Sequence, residues 1–292
     1  EPETATTWTV GAVIQPRFIP GLSLTIDYFN IEITRAITAP TPDDAIQACF
    51  GPEDAQGNFS PAAGASTDPA CTIIGRNPTT GTLSGDPAVT PGLFLSLSNL
   101  GRLETAGVDF TFNYRRDLDF LGGVGLALNG VLTWTDYQRF QAVEGVSFNR
   151  DCVGFYSANC GSLQPEWQWS LRTTLTFDDI DVSLLWRHID SMQYEPGLTP
   201  IFSGTLPGTL GPLSGQQVDF NNIGAADYFD LTTRIAVDDH FTITLAVQNL
   251  FDKDPPIVGS EAGTTTYNSG NTFPSTYDAV GRRFVASARI RF

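Results

Sequence analysis

The final stretch, Val280 to Phe292 (V-G-R-R-F-V-A-S-A-R-I-R-F), limits the fold more than any other part of the chain. From Phe284 on, every even position is apolar: Phe284, Ala286, Ala288, Ile290 and Phe292. The odd positions carry Val285, Ser287, Arg289 and Arg291. A period of two specifies a β-strand, because successive side chains point to opposite faces of a sheet. In a soluble sandwich the apolar row packs a core and its opposite meets water. In a transmembrane barrel the apolar row meets lipid and the charged row lines a wet lumen. Alternation alone fits both, so the connections have to decide.

The same pattern recurs along the chain. Thr6–Gln15 places Trp8, Val10, Ala12 and Ile14 on one side. After the turn Pro16–Gly21 come Leu22, Leu24, Ile26 and Tyr28, with a change of apolar parity near Phe29 to Ile33, as at a bulge or at the end of a lipid zone. A strand over Leu93–Arg115, expected to break around Asn99 to Gly101, aligns Val108, Phe110, Phe112 and Tyr114. Further strands carry Val124 to Trp134, Trp167 to Phe177, Val182 to Trp186, Phe229 to Val237, Phe241 to Val247, and the terminal segment. The count is nine.

Long connections over about 38–92, 139–164, 190–224 and 252–278 alternate strictly with short turns at Pro16–Gly21, Asp117–Gly123, Asp178-Asp179 and Asp238-Asp239. A short helix over Pro42–Ala48 is expected in the first long connection, with Asp43 and Asp44 in its first turn. Loops this long are improbable inside a compact soluble domain, but normal on the outer side of a membrane barrel. Trp, Tyr and Phe near the ends of the apolar rows fit the girdles of such a barrel. The fold class read from this pattern is all-β, an antiparallel up-and-down transmembrane barrel segment. Barrels of this kind close with an even number of strands, so nine implies a piece of a larger barrel whose other strands lie upstream.

Composition agrees with this reading. No run of eighteen apolar residues exists, which excludes a membrane-spanning helix. The mean hydropathy of -0.06 does not argue against barrel strands, which are about ten residues long and half polar. A net charge of -16, with Lys253 the sole lysine, argues against nucleic acid as a partner. Four cysteines form two local sets, Cys49 with Cys71 and Cys152 with Cys160, each inside a Gly/Pro/Asn-rich loop. Of three possible connectivities the local one is expected, and it implies an oxidising compartment. The chain opens E-P-E-T without a signal peptide, so an exported protein must have lost its start.

Sites of chemistry are few. Asp178-Asp179 and Asp238-Asp239 read as turn formers, not catalytic dyads. His188 and His240 stand apart from each other and from the cysteines, as interface or turn residues do. Gly122-Gly123-Val124-Gly125 lacks the third spaced glycine and the strand-to-helix setting of a dinucleotide loop. Asn58-Phe59-Ser60 fits a glycosylation sequon by chance composition. Neither a Ser/His/acid constellation nor a metal or cofactor signature is present, and an enzyme is not expected. The inward arginines Arg115, Arg172, Arg234, Arg283, Arg289 and Arg291 are expected to pair within the wall, with acids such as Asp109 and Asp230. The loop aromatics Phe155, Tyr156, Tyr194, Phe202, Tyr267 and Phe273 are candidates either for substrate contact or for packing the loops together.

Several stretches resemble one family, the TonB-dependent outer-membrane receptors. Glu3 to Gly11 with Trp8, followed by Pro20 to Asn30 ending Asp27-Tyr28-Phe29-Asn30, is similar to a pair of its barrel strands. Asn99 through Glu104-Thr105-Ala106-Gly107-Val108-Asp109 resembles another. Asn249-Leu250-Phe251-Asp252-Lys253 looks like a strand end of the family, and Tyr277-Asp278 to Arg282-Arg283-Phe284 with Phe292 looks like its last strand. The resemblance implies the last nine strands of a 22-stranded barrel in the outer membrane of a Gram-negative bacterium. It also implies an N-terminal plug and a TonB-contacting segment, neither of which lies in this sequence. Outer-membrane lipid, the missing plug and strands, TonB, the barrel-insertion machinery and a small nutrient ligand are the implied partners. Phe292 is then a barrel-assembly signal, and Asn249 to Lys253 a structural strand end.

The function expected is TonB-energised uptake of a scarce nutrient, with an oligosaccharide or similar organic substrate preferred for the acidic, aromatic-bearing loops. A ferric-siderophore receptor, a passive porin-like channel and a secreted β-sandwich adhesin are the alternatives.

Overall fold

The structure is a computed structural model that describes residues 2–39, 42, 46, 49–50, 69–72, 74–93, 95, 97–119, 122–141, 150–157, 159–160, 163–196, 200–208, 214–259, 262 and 271–291. Nine long strands form one antiparallel sheet in sequence order. They are β1 (Thr4–Ile14), β2 (Leu22–Thr38), β3 (Ser98–Leu118), β4 (Val124–Gln141), β5 (Trp167–Phe177), β6 (Ile180–Ile189), β7 (Ala226–Ala236), β8 (Phe241–Gln248) and β9 (Arg283–Ile290). Each strand pairs only with its sequence neighbours, apart from the short strand Arg150–Asp151 added to β4. The sheet is an open meander whose edges, β1 and β9, have no further partner among the described residues. This is the expected all-β antiparallel architecture.

Register shows which side chains share a face. Val10 opposes Tyr28, Tyr28 opposes Val108, and Val108 opposes Trp134. The row continues through Trp134 opposite Trp167, and farther along the sheet Trp186 opposes Phe229. The opposite face carries Asp27 against Asp109, Asn113 against Asn129, Asn129 against Arg172, and Asp181 against Arg234. Among the described residues no second sheet covers either face. The buried apolar cluster instead joins the long connections, through Tyr156, Met192, Tyr228, Val258, Phe273 and Tyr277. Apolar rows left uncovered along a whole sheet are what lipid contact requires and what a sandwich forbids.

All five tryptophans lie on the apolar face, in the half of their strand away from the short turn. They form a belt with their neighbours: Trp8 to Tyr28 at 5.1 Å, Trp134 to Trp167 at 6.1 Å, and Trp169 to Trp186 at 5.3 Å between ring centroids. The indole Nε1 of Trp134 donates to Glu166 (3.1 Å) and that of Trp186 to Asp227 (2.7 Å). A ring in hydrocarbon with its N–H on a polar group is the usual arrangement at a membrane interface.

The turns follow their residues. Asp178 adopts a left-handed φ of 44° in the two-residue turn between β5 and β6. Asp238 accepts from the backbone N–H groups of His240 and Phe241, both at 2.8 Å. Gly21, at φ 87°, sits where an added Cβ would lie 2.0 Å from the Arg115 carbonyl oxygen.

Two sequence expectations are corrected. The third strand, expected to break around Asn99 to Gly101, runs on from Ser98 as β3. What occurs there is a slip in its pairing to β2, with register shifts from Thr34 to Thr38 opposite Arg102 to Ser98, and a further shift falls between Ala106 and Gly107 opposite β4. A Cβ at Gly107 would meet the Trp134 carbonyl oxygen at 2.3 Å, so the strands close together there only because this residue has none. The parity change at Phe29 to Ile33 is not a bulge either, since pairing to β1 and β3 stays in step from Leu24 to Thr34. It marks the end of the lipid zone. The helix expected over Pro42–Ala48 and the sequon at Asn58 fall mostly or wholly outside the described residues.

Candidate functional site

Beyond the tryptophan belt, β2, β3 and β4 continue upward and their two faces exchange character. The row that meets lipid below becomes Asn30, Glu32, Glu104, Arg102, Tyr137 and Arg139 above. The row that meets water below becomes Phe29, Ile31, Ile33, Leu103 and Phe140. The polar outer row is tied together: Arg102 pairs with Glu32 (2.8 Å) and Glu104 (2.6 Å), and Asn30 donates to the Tyr137 hydroxyl (2.7 Å). The Arg139 guanidinium stacks 4.2 Å above the Tyr137 ring. An outer face built of ion pairs belongs in water, so this part of the wall stands clear of the hydrocarbon.

The apolar inner row is partly covered by the second long connection. Arg150–Asp151 extends the sheet beside β4, and the disulfide Cys152–Cys160 follows it. Between wall and disulfide lies a cavity of about 400 Å³, lined by Ile31, Ile33, Leu103, Gln138, Phe140 and Cys160 among others. The side-chain Oε1 of Gln138 is buried with no hydrogen-bond partner. A buried amide oxygen without a donor is costly, about 1–3 kcal/mol, unless something supplies one. The cavity therefore sets an apolar wall beside the polar residues Glu104, Thr105, Gln138, Arg139 and Asn159, a combination suited to an organic molecule with C–H faces and hydroxyl or N–H groups.

A packed cap of loops holds this region. Phe155–Tyr156, Met192–Tyr194 and Asn222–Ile223 form a small three-stranded sheet linking the second and third long connections. Arg150 pairs with Glu195 at 2.5 Å, both buried, and Ser157 donates to the other Glu195 oxygen. Tyr156 and Tyr277 lie inside the cap. Burial raises both phenol pKa values well above the ordinary range, with the charge of Asp219 adding to the effect at Tyr156. Asp219 itself is held low by the side chain of Asn222 and the backbone of Asn221.

Of the loop aromatics singled out from sequence, Tyr156 and Phe273 are 0% and 2% exposed and pack the cap, 6.4 Å apart. Tyr194 lies against Tyr156 at 5.7 Å, and Phe155 is half-buried beside them. Phe202 is exposed, 6.4 Å from Phe220. Tyr267 and the terminal Phe292 are outside the described residues.

Both disulfides follow the local pairing, Cys49–Cys71 and Cys152–Cys160. Arg234 pairs with Asp181 (2.9 Å) within the wall as expected, whereas Arg283 reaches Asp278 (3.4 Å) in the fourth long connection. The two acids expected to serve the inward arginines have other partners. Asp230 is held by Arg187 (3.3 Å), which the sequence reading passed over, and Asp109 accepts from Thr133 (2.6 Å). His188 stacks on Trp169 at 3.7 Å and bonds Asp227 at 2.8 Å, an interface role. Asn249 is buried at φ 51° and clamps the backbone of Lys253 through both ends of its amide (2.8 and 2.9 Å), so Asn249 to Lys253 is a turn-forming strand end.

The cavity itself was missed. Its sequence signal was the parity change after Tyr28, visible but readable only once the polar outer row is seen to be ion-paired.

Comparison with known proteins agrees with this architecture. The model of the TonB dependent receptor-like β-barrel family matches residues 1–250. Among solved structures, the siderophore receptor PirA from Acinetobacter baumannii is similar over 100% of this chain and 32% of its own, at 14% identity and a TM-score of 0.53. The FrpB iron transporter from Neisseria meningitidis (F3-3 variant) is similar over 99% of this chain and 31% of its own, at 12% identity and a TM-score of 0.51. The chain thus spans about a third of the length of these structures. No curated protein sequence matches it. Members of the matching family are transporters of the Gram-negative outer membrane, not enzymes. With its lipid-facing rows, tryptophan belt and in-order antiparallel meander, the chain belongs to the TonB-dependent receptor β-barrel family.

Proposed function

We propose that this chain is the C-terminal wall of a transporter that takes up a scarce nutrient through a plugged barrel, energised by TonB. The wall supplies a wet inner face for passage, and the loop cap and upper strands supply recognition. The substrate class we infer is an uncharged, hydroxyl-bearing organic molecule such as an oligosaccharide. The observation that carries this reading is the cavity behind Cys152–Cys160, where the apolar wall of Ile31, Ile33, Leu103 and Phe140 meets the polar side chains of Gln138 and Asn159. The acidic balance speaks against an anionic ferric chelate: the chain carries 32 Asp and Glu against 16 Lys and Arg, a net charge of -16. Phe155, Tyr194 and Phe202 are proposed as further contacts, and Phe292 as the mark read by the insertion machinery.

The test is growth of a strain deleted for the full gene. Loss of growth on an oligosaccharide as sole carbon source, reproduced by deleting TonB, is the expected result. Loss of growth under iron limitation with sugar use intact would replace the substrate by a ferric siderophore. Uptake that persists without TonB would mean a passive channel.

A further inference from the structure

On the lipid-facing side, below the tryptophan belt, the sheet carries a groove of about 550 Å³. Its floor is Gly130 on β4. Directly paired with Gly130 are Phe112 on one side and Leu171 on the other. A Cβ at Gly130 would sit 3.2 Å from Leu171 Cδ1 and 3.9 Å from Phe112 Cβ, so the walls stand above a floor that has no side chain. Phe110 and Phe112 form one wall, and Trp167, Trp169 and Trp186 close the end nearest the belt.

The closing rings are fixed before anything binds. Trp169 is clamped by His188, stacked at 3.7 Å with an interplanar angle of 12°, and meets Trp186 edge-on at 5.3 Å. Trp186 is tethered through Nε1 to Asp227, which also holds His188. A slot with immobilised walls loses little freedom on binding, which favours a retained occupant over an exchanging one.

We propose that this groove holds one acyl chain of a membrane lipid as a bound ligand, distinct from the lipids that merely surround the barrel. The occupant follows from continuity: the groove is cut into the rows that meet hydrocarbon, and its lining is almost wholly apolar. The acids at its upper end, Asp227 and Glu166, are already occupied by Trp186 and Trp134, so recognition rests on the chain and not on a charged headgroup.

The experiment uses the full-length receptor in mild detergent, titrated with a phosphatidylcholine brominated on its acyl chain, with tryptophan fluorescence as the readout. Saturable quenching on top of the gradual micellar background is expected. Gly130→Leu fills the floor and should abolish the saturable part, while the heat-modifiable gel shift of a folded barrel is retained. If Gly130→Leu does not assemble, Leu128→Trp, which blocks the groove from the next outward position on β4, should have the same effect. Quenching that rises without saturation, or saturation unchanged in the variant that folds, overturns the proposal. So does a second copy of the receptor cross-linked across this face in place of lipid. Nutrient uptake is not read in this assay, so its outcome is independent of the substrate assigned above.

Discussion

Asn249 shows how one side chain can fix a strand end. Its amide satisfies both backbone groups of Lys253, its own N–H donates to Asp230 (2.8 Å), and its φ of 51° is one that few residues besides Gly and Asn accept. Asn249→Leu should therefore destabilise the barrel by about 1–3 kcal/mol, read as a lower temperature of the heat-modifiable transition. The buried pair Arg150–Glu195 makes a sharper demand. Removing one partner strands a charge in the cap, at a cost of about 3–5 kcal/mol, whereas replacing both with apolar residues of similar volume costs far less. Limited proteolysis of the second and third connections should accelerate in Arg150→Met and return toward wild type in Arg150→Met/Glu195→Leu. The buried phenols set a pH limit on the same cap. Because burial raises the folded pKa values of Tyr156 and Tyr277, their contribution is intact below the ordinary tyrosine value of about 10 and is lost as pH climbs from there toward the raised values. Tyrosinate absorbance should lag behind that of exposed tyrosines and appear together with faster hydrogen exchange in the loops. Simultaneous ionisation of all tyrosines at the ordinary value would contradict this.

At the scale of elements, a single assumption is tested strand by strand: one face is wetted by hydrocarbon and the other by water. Leu184, outward near the middle of β6, should tolerate arginine poorly, losing about 2–4 kcal/mol, while arginine at its inward neighbour Ser183 should cost little. Equal losses at the two positions would reject the assignment of faces. Much of this level could be read from sequence. Alternation, the Asp-Asp turns and the difference in connection length placed nine strands in order, because each depends on residues close together in the chain. The upper part of β2 to β4 resisted reading for a physical reason: alternation shows which face is apolar, not which solvent that face meets. Ile31, Ile33 and Leu103 look like lipid-facing residues until Glu32, Arg102 and Glu104 on the other face are seen to be ion-paired. Loop aromatics are opaque for a similar reason. Tyr156 and Phe273 lie over a hundred residues apart, and only the folded cap reveals that they pack against each other.

For the whole molecule, the buried apolar cluster gathers at the loop end of the sheet, and among the described residues no second layer covers either face. Stability of the wall should thus depend on the membrane and on the neighbouring strands, and stability of the cap on its own small core. Reduction of Cys152–Cys160 should loosen the cap and weaken ligand binding while leaving the heat-modifiable shift of the barrel unchanged. Loss of both together would mean that wall and cap form one cooperative unit.

The uneven height of the strands has a consequence for the upper inner row. From Tyr28 to Thr34, β2 adds about 20 Å of wall beyond the belt, at roughly 3.3 Å per residue, and β3 and β4 rise with it, whereas β5 to β9 are only 8 to 11 residues long. The inner row Ile31, Ile33, Leu103 and Phe140 is carried on that added height, beyond the reach of the shorter strands.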